Sequence, residues 1–309
     1  MPSVKPQLTD EEVRTLLTER FAAPDGELRL VEGGQIAQTV AFTANGQAYI
    51  LRINPPTVPN FEKDAYIYRR YATPRLPIPP IYQLGTMGWL SYAISQMMPG
   101  KNMIGLPTAE VASYVPALIE TLDAIHASDV SSSTGYGAFD EHGIGPYHSW
   151  REFMISVGDE HEPGSFYGRW HSLFDDTFLA RDVWDRIYAA MMRLLDYCPE
   201  QRWLLHADYA FGNVLVQDGR ITAVLDWANA MYGDFLFDVA WLDHVLPDHQ
   251  ILDRCAAYYA AQGRTIIHYR ERLLCYRYLI TLDSMRFYAK VGKEAEYIAM
   301  RDQILPTLG

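Results

Sequence analysis

The stretch His206-Ala207-Asp208-Tyr209-Ala210-Phe211-Gly212-Asn213 leads into Val214-Leu215-Val216 and, past Asp218-Gly219, into Ile221 to Leu225 and Asp226-Trp227. Asp-Gly between two short β-branched runs is the signature of a two-residue hairpin turn. With Gln217 facing Arg220, counting back puts Asn213 opposite Val224 and Asp226 diagonally beside Asn213. Side chains alternate along a strand, so Asn213, Val224 and Asp226 are expected on one face, with diagonal neighbours roughly 7–8 Å apart. An amide oxygen and a carboxylate at that spacing are hard donors that suit a magnesium ion carrying phosphates. Asp208, five residues before Asn213, lies in the loop that feeds the same end of the hairpin.

Those offsets carry a chemistry. In phosphoryl transfer by protein kinases an Asp accepts the proton of the acceptor hydroxyl, an Asn five residues on holds magnesium, and a later Asp holds it too. Taken singly, Asp208 reads as a turn residue and Asp226 as the end of a strand. All three at the right offsets around one hairpin favour function.

Working outward, the chain changes character near residue 100. Thr9 and Glu12 form a capping box ahead of Val13, Leu16, Leu17 and Phe21, which recur at helical spacing, so a helix is expected to about Phe21. From Leu28 to Ile53 the pattern is alternating, with Asn45-Gly46 between Val40-Ala41-Phe42 and Tyr49-Ile50-Leu51, as in an antiparallel sheet. A helix around Lys63 to Tyr71, a proline-rich segment and a strand from Trp89 to Met97 follow. After Pro99-Gly100 long helical stretches dominate: Thr108 to Ala127, Arg181 to Tyr197, and Ile251 to the end. Two domains are expected, 1–98 and 99–309, the second all-helical apart from the hairpin.

The composition bounds the function. Among 309 residues, 49% are hydrophobic and 21% charged, as in a soluble globular protein. The net charge of −12 argues against nucleic acid, whose phosphates demand a basic face; it agrees with a cationic small molecule but serves solubility equally well. No basic stretch precedes an apolar segment at the start, and no apolar run is long enough to span a bilayer, so a cytoplasmic protein without membrane contact is expected. Cys198, Cys255 and Cys275 show no metal-ligand spacing and fit a reducing compartment.

The pattern H-A-D-x-x-x-x-N, then L-D-W, then G-D-x-x-x-D-V-A resembles the aminoglycoside phosphotransferase family. The resemblance implies an α+β, protein-kinase-like two-lobed fold with an N-terminal antiparallel sheet lobe and a C-terminal, mainly helical lobe. It implies ATP or GTP as donor, Mg2+, and a small-molecule hydroxyl as acceptor, with Asp208 catalytic and Asn213 and Asp226 on the metal. In the first lobe Arg52 takes the place of the usual phosphate-gripping Lys, with Asp64, or alternatively Glu62, as its acid. Gln96 to Met98 resembles the hinge whose backbone bonds the purine. Gly33-Gly34-Gln35-Ile36-Ala37 holds the position of the phosphate-covering loop without its glycine pattern.

The same resemblance gives His206 a structural place and has Asp238 brace the catalytic loop, while Asp234 reads as the N-cap of a helix from Phe235 to Leu246. For acceptor ammonium groups it points to Asp159, Glu160 and Glu162, in an insertion beside the acceptor site, and to Asp243 beyond the helix carrying Asp238; each reads equally as solvated surface. Leu51-Arg52-Ile53-Asn54, Leu76-Pro77-Ile78-Pro79, Gly135-Tyr136-Gly137 and Trp150-Arg151-Glu152-Phe153 resemble an aminocyclitol-directed branch of the family, whereas the last seventy residues match poorly. A kinase of a macrolide, choline or homoserine hydroxyl, and a non-catalytic nucleotide-binding protein, are the competing readings.

Overall fold

A computed structural model describes residues 5–31, 36–162, 165–209 and 211–308. Gly33, Gly34 and Gln35 of the expected phosphate-covering loop lie outside the described residues. The first elements are α1 (Asp10–Arg20), β1 (Arg29–Leu30), β2 (Gln38–Ala44), β3 (Gln47–Asn54), α2 (Glu62–Tyr71), β4 (Ile81–Met87), β5 (Leu90–Gln96), β6 (Lys101–Asn102) and α3 (Thr108–His126). Next come β7 (Gly137–Ala138), α4 (Trp150–Ile155), α5 (Leu173–Asp176), α6 (Arg181–Leu194), β8 (Trp203–Leu205), β9 (Val214–Gln217), β10 (Arg220–Val224) and β11 (Met231–Gly233). The chain closes with α7 (Leu236–Val245), α8 (Ile251–Ala261), α9 (Tyr269–Val291) and α10 (Glu294–Ile304).

Contacts divide these into two compact units. The first comprises 1–124, 140–143 and 211–228; the second comprises 125–139, 144–210 and 229–309. The hairpin thus belongs by its contacts to the first unit, far along the chain from the rest of it. The tie is visible in the ladder, where β6 pairs antiparallel with β9, Lys101 against Val216 and Asn102 against Leu215.

In the first unit, an antiparallel sheet of order β1-β2-β3-β5-β4 lies at the centre. Its first hairpin turns at Asn45 and Gly46, both left-handed at φ 53° and 74°, the conformation that matches the twist of the flanking strands. α1 starts on its capping box: the Glu12 N–H donates to Thr9 Oγ1 at 3.3 Å and the Thr9 N–H to Glu12 Oε2 at 2.8 Å. Its apolar stripe of Val13, Leu16 and Leu17 is buried against Val40, Phe42, Leu51 and Ile53 of the sheet. Removing each such side chain from water contributes about 1.5–3 kcal/mol. α2 begins where Asn60 Oδ1 accepts the Glu62 N–H at 3.0 Å, and it carries Arg69 and Arg70 in its last turn, where a cation suits the helix dipole.

The second unit is built around α9. Residues on all its sides are buried, among them Tyr276, Leu279, Ile280, Leu282 and Met285, because α6, α7 and α10 pack around it. The run expected to be helical from Ile251 onward is three helices. Gly263 and Gly292, left-handed at φ 70° and 75°, end two of them, a conformation in which a side chain is strained. Nor is the hairpin the sole β structure after residue 100. A small antiparallel sheet, β7-β11-β8, lies in the second unit and β6 extends the hairpin in the first; strands of two or three residues are too short to show alternation. No helix among the described residues is long and apolar enough to cross a membrane.

Candidate active site

In the second unit, the loop carrying Asp208 hangs from one carboxylate. Asp238, in the first turn of α7 and fully buried, accepts the His206 N–H at 2.9 Å on Oδ2 and the Ala207 N–H at 2.8 Å on Oδ1. His126, at the end of α3, meets the same carboxylate through Nε2 at 3.2 Å. Such charge-assisted bonds are about twice as strong as neutral ones. They hold Ala207 at φ 61°, a left-handed conformation that costs an alanine about 1–3 kcal/mol and persists where surroundings over-determine it. The next residue is Asp208. Its N–H donates to Nδ1 of the buried His206 at 3.3 Å, which leaves the proton of a neutral imidazole on Nε2.

In the first unit, the hairpin departs from simple counting. Asp218 and Gly219 form the turn at φ 50° and 76°, and Arg220 faces Gln217 as expected. A bulge at Thr222 then shifts the register, so that Ile221 faces Val216 but Ala223 faces Leu215 and Val224 faces Val214. The Leu225 N–H reaches the Asn213 carbonyl at 2.7 Å. Asn213 is therefore opposite Leu225, not Val224, and the expected shared face of Asn213, Val224 and Asp226 does not follow from the pleat. Two ties from outside the hairpin accompany the bulge: Thr222 Oγ1 donates to the Pro99 carbonyl at 2.6 Å, and the Val224 N–H to the Pro77 carbonyl at 2.8 Å. Asp226 leaves strand geometry altogether at φ 57°, so a left-handed backbone, rather than strand alternation, aims its exposed side chain.

The donor set at this end of the hairpin fits magnesium. Asn213 and Asp226 offer one amide and one carboxylate oxygen, and magnesium is commonly held by one or two such groups together with substrate phosphates. Among the described residues no cluster of three or more His, Cys, Asp or Glu has the disposition of a metal cage. In the same unit Arg52 on β3 donates to Asp64 Oδ2 on α2 at 2.6 Å and lies over the Phe61 ring at 4.7 Å. Glu62, the alternative acid, is exposed. At the end of β5 the N–H groups of Gln96 and Met97 donate to the carbonyls of Pro80 and Ala48, at 2.9 and 3.1 Å.

The acidic candidates do not form one group. Asp159 and Glu162 are exposed, whereas Glu160 pairs with His171 Nδ1 at 3.2 Å. Their segment is pinned to α9 by Arg286, which donates to the Val157 carbonyl and meets His161 Nε2, both at 3.2 Å, and stacks 4.0 Å from the Tyr167 ring centre. Asp243 is not beyond the helix carrying Asp238 but on it, half-buried on α7, where desolvation raises its pKa against the opposing field of Arg277. Arg277 and Arg286 are nine residues apart on one helix, roughly 13 Å along its axis, so Asp243 stands away from the other three acids.

Sequence reasoning missed three features. His126 sits at the end of an ordinary amphipathic pattern and carries no local signal. Asp234 is not the N-cap expected of it. α7 starts at Leu236, and although Asp234 Oδ1 accepts the Leu236 N–H at 3.3 Å, its buried carboxylate is gripped chiefly by Arg272, with Nε at 2.8 Å, and by the Tyr276 hydroxyl. Gly233 before it is required by packing, since a Cβ there would lie 2.2 Å from the Trp150 ring. Lys63, finally, donates to the Ala228 carbonyl at 2.9 Å; burial lowers its pKa to about 8 in spite of Asp64 and Asp140.

A model of the phosphotransferase enzyme family (APH) matches residues 27–274. The chain belongs to that family. This phosphotransferase is 37% identical to hygromycin-B 4-O-kinase of Escherichia coli over 237 residues, a match that covers 76% of this chain and 67% of the relative's. It matches the crystal structure of aminoglycoside phosphotransferase APH(4)-Ia with a TM-score of 0.82 at 29% identity, over 97% of this chain and 98% of that one. A thermostable mutant of APH(4)-Ia in ternary complex with AMP-PNP and hygromycin B matches with a TM-score of 0.80, at 29% identity over 96% and 97% of the chains. The α+β, protein-kinase-like fold expected of this phosphotransferase is the fold it has.

Proposed function

We propose that this phosphotransferase moves the γ-phosphoryl group of ATP to a hydroxyl of an aminoglycoside or aminocyclitol, with hygromycin B as the expected acceptor. The observation that carries the chemistry is the double hydrogen bond from the His206 and Ala207 N–H groups to Asp238, which presets the backbone immediately before Asp208. A carboxylate so held can orient an acceptor hydroxyl and take its proton as the bond to phosphorus forms. Asn213 and Asp226 would hold Mg2+, which when bound neutralises charge on the phosphate oxygens. Arg52, steadied by Asp64, contacts the phosphates, and the purine lies against the backbone of Gln96 and Met98. In this reading residues 1–98 bind the nucleotide and residues 99–309 carry the catalytic and acceptor groups, in a protein of the cytoplasm, where ATP is at hand.

The arginine assignment gives a direct expectation. Arg52→Ala should weaken nucleotide binding about 10- to 100-fold, the loss of one or two charge-assisted contacts. Displacement of a fluorescent ATP analogue measures it, and affinity equal to that of the parent chain would remove Arg52 from the site.

The acceptor rests on the 37% identity to hygromycin-B 4-O-kinase, which extends well outside the catalytic hairpin. Asp159 and Glu162 are exposed carboxylates suited to the ammonium groups of such an acceptor, with Glu160 and Asp243 as further candidates. In a coupled assay with hygromycin B, kanamycin, a macrolide, choline and homoserine side by side, hygromycin B should give the highest kcat/KM. Turnover of another compound with none on hygromycin B would overturn the acceptor and leave the phosphotransfer standing.

A further inference from the structure

Lys63 has no part in the chemistry above, yet its ammonium is aimed at the segment that carries Asp226. It stands one residue before Asp64 in the first turn of α2, and its Nζ donates to the Ala228 carbonyl at 2.9 Å, across 165 residues of chain. Asp64 and Asp140 are the carboxylates whose fields act on it. Ala228 is two residues beyond Asp226, whose left-handed backbone must be maintained by its surroundings. On the near side the Leu225 N–H donates to the Asn213 carbonyl at 2.7 Å, and Trp227 Nε1 donates to the Val224 carbonyl at 3.2 Å. Both bonds lie within the hairpin and its immediate continuation. The bond from Lys63 is different in kind, because it ties the far side of Asp226 to the helix whose next residue grips Arg52.

We propose that Lys63 is a positioning residue that, through the Ala228 carbonyl, holds Asp226 in the conformation that binds magnesium and couples it to the Arg52–Asp64 pair. The inference rests on the phosphotransferase reading of the site. A lysine serving only to anchor α2 would affect stability alone. One that sets the backbone of a metal ligand affects how nucleotide binding responds to the metal.

The test is displacement of a fluorescent ATP analogue from the full chain across a magnesium titration, with thermal unfolding of each variant alongside. Lys63→Met keeps the apolar stem and removes the donor. It should raise the magnesium concentration at half effect about tenfold, the loss of one hydrogen bond from a charged donor, while nucleotide binding without metal is unchanged. Lys63→Arg, which retains a donor, should lie near the parent midpoint. If Lys63→Met fails to fold, Lys63→Leu, which also lacks a donor, is titrated in its place, with the same shift expected. A parent chain that responds to magnesium beside a variant with the same midpoint would overturn the positioning role and leave the enzyme reading intact. A parent chain whose nucleotide binding ignored magnesium would bring down both.

Discussion

Asp208→Ala is expected to lower turnover by about 10²- to 10⁴-fold while nucleotide affinity stays close to that of the parent chain. The separation follows from the wiring of the loop. Asp238 holds the backbone through the N–H groups of His206 and Ala207, so truncating the side chain of Asp208 leaves the loop itself in place. On the proposed reading, what is lost is the group that orients the acceptor hydroxyl and receives its proton, an interaction that grows toward the transition state. Steady-state rates with hygromycin B and a separate nucleotide titration resolve the two effects. A variant that kept most of its turnover would exclude Asp208 as the base, and one that lost nucleotide binding in proportion would make its role structural.

Arg272→Met is expected to destabilise the protein by about 3–5 kcal/mol, because it leaves the fully buried Asp234 carboxylate without its cation. The remaining partners, the Tyr276 hydroxyl and the Leu236 N–H, cannot neutralise that charge. For a chain of this length the melting temperature should fall on the order of 5–10 °C. The double variant Asp234→Leu/Arg272→Met should recover part of the loss, since two apolar side chains cost less than one orphaned charge. Thermal unfolding of the parent, single and double variants checks both statements. A single variant melting within the scatter of the parent would mean that water reaches Asp234 and that the pair does little for the second unit.

Much was legible without coordinates, and the legible parts share a cause. The Thr9–Glu12 capping box, the turns at Asn45-Gly46 and Asp218-Gly219, and the offsets of Asp208, Asn213 and Asp226 are written in residues close along the chain. Turn and cap chemistry acts within four residues and strand alternation within two, so a short window contains all the physics needed. The same holds for Arg52 and Asp64, one on a strand and the other on the helix that follows it, although there the resemblance to a family chose the pair and the structure joins them.

Other features depend on contacts that no window contains. The register at Asn213 is shifted by a bulge at Thr222, where the hydroxyl binds a carbonyl 123 residues earlier and the Val224 N–H binds that of Pro77. Local counting treated the hairpin as free-standing and so missed the bulge. His126 is 112 residues from Asp238, Arg272 is 38 from Asp234, and Lys63 is 165 from Ala228. The first two of these bonds draw their strength from burial, which takes charged groups out of water and makes their partners matter, while the third joins a half-buried lysine to an exposed residue. Burial belongs to the packed chain and not to any residue in it. The sequence by itself therefore determined the fold class and the order along the chain of the groups proposed for phosphoryl transfer. The tertiary structure decided how their backbones are held, because only packing brings the bracing side chains to them and removes the water that would otherwise take their place.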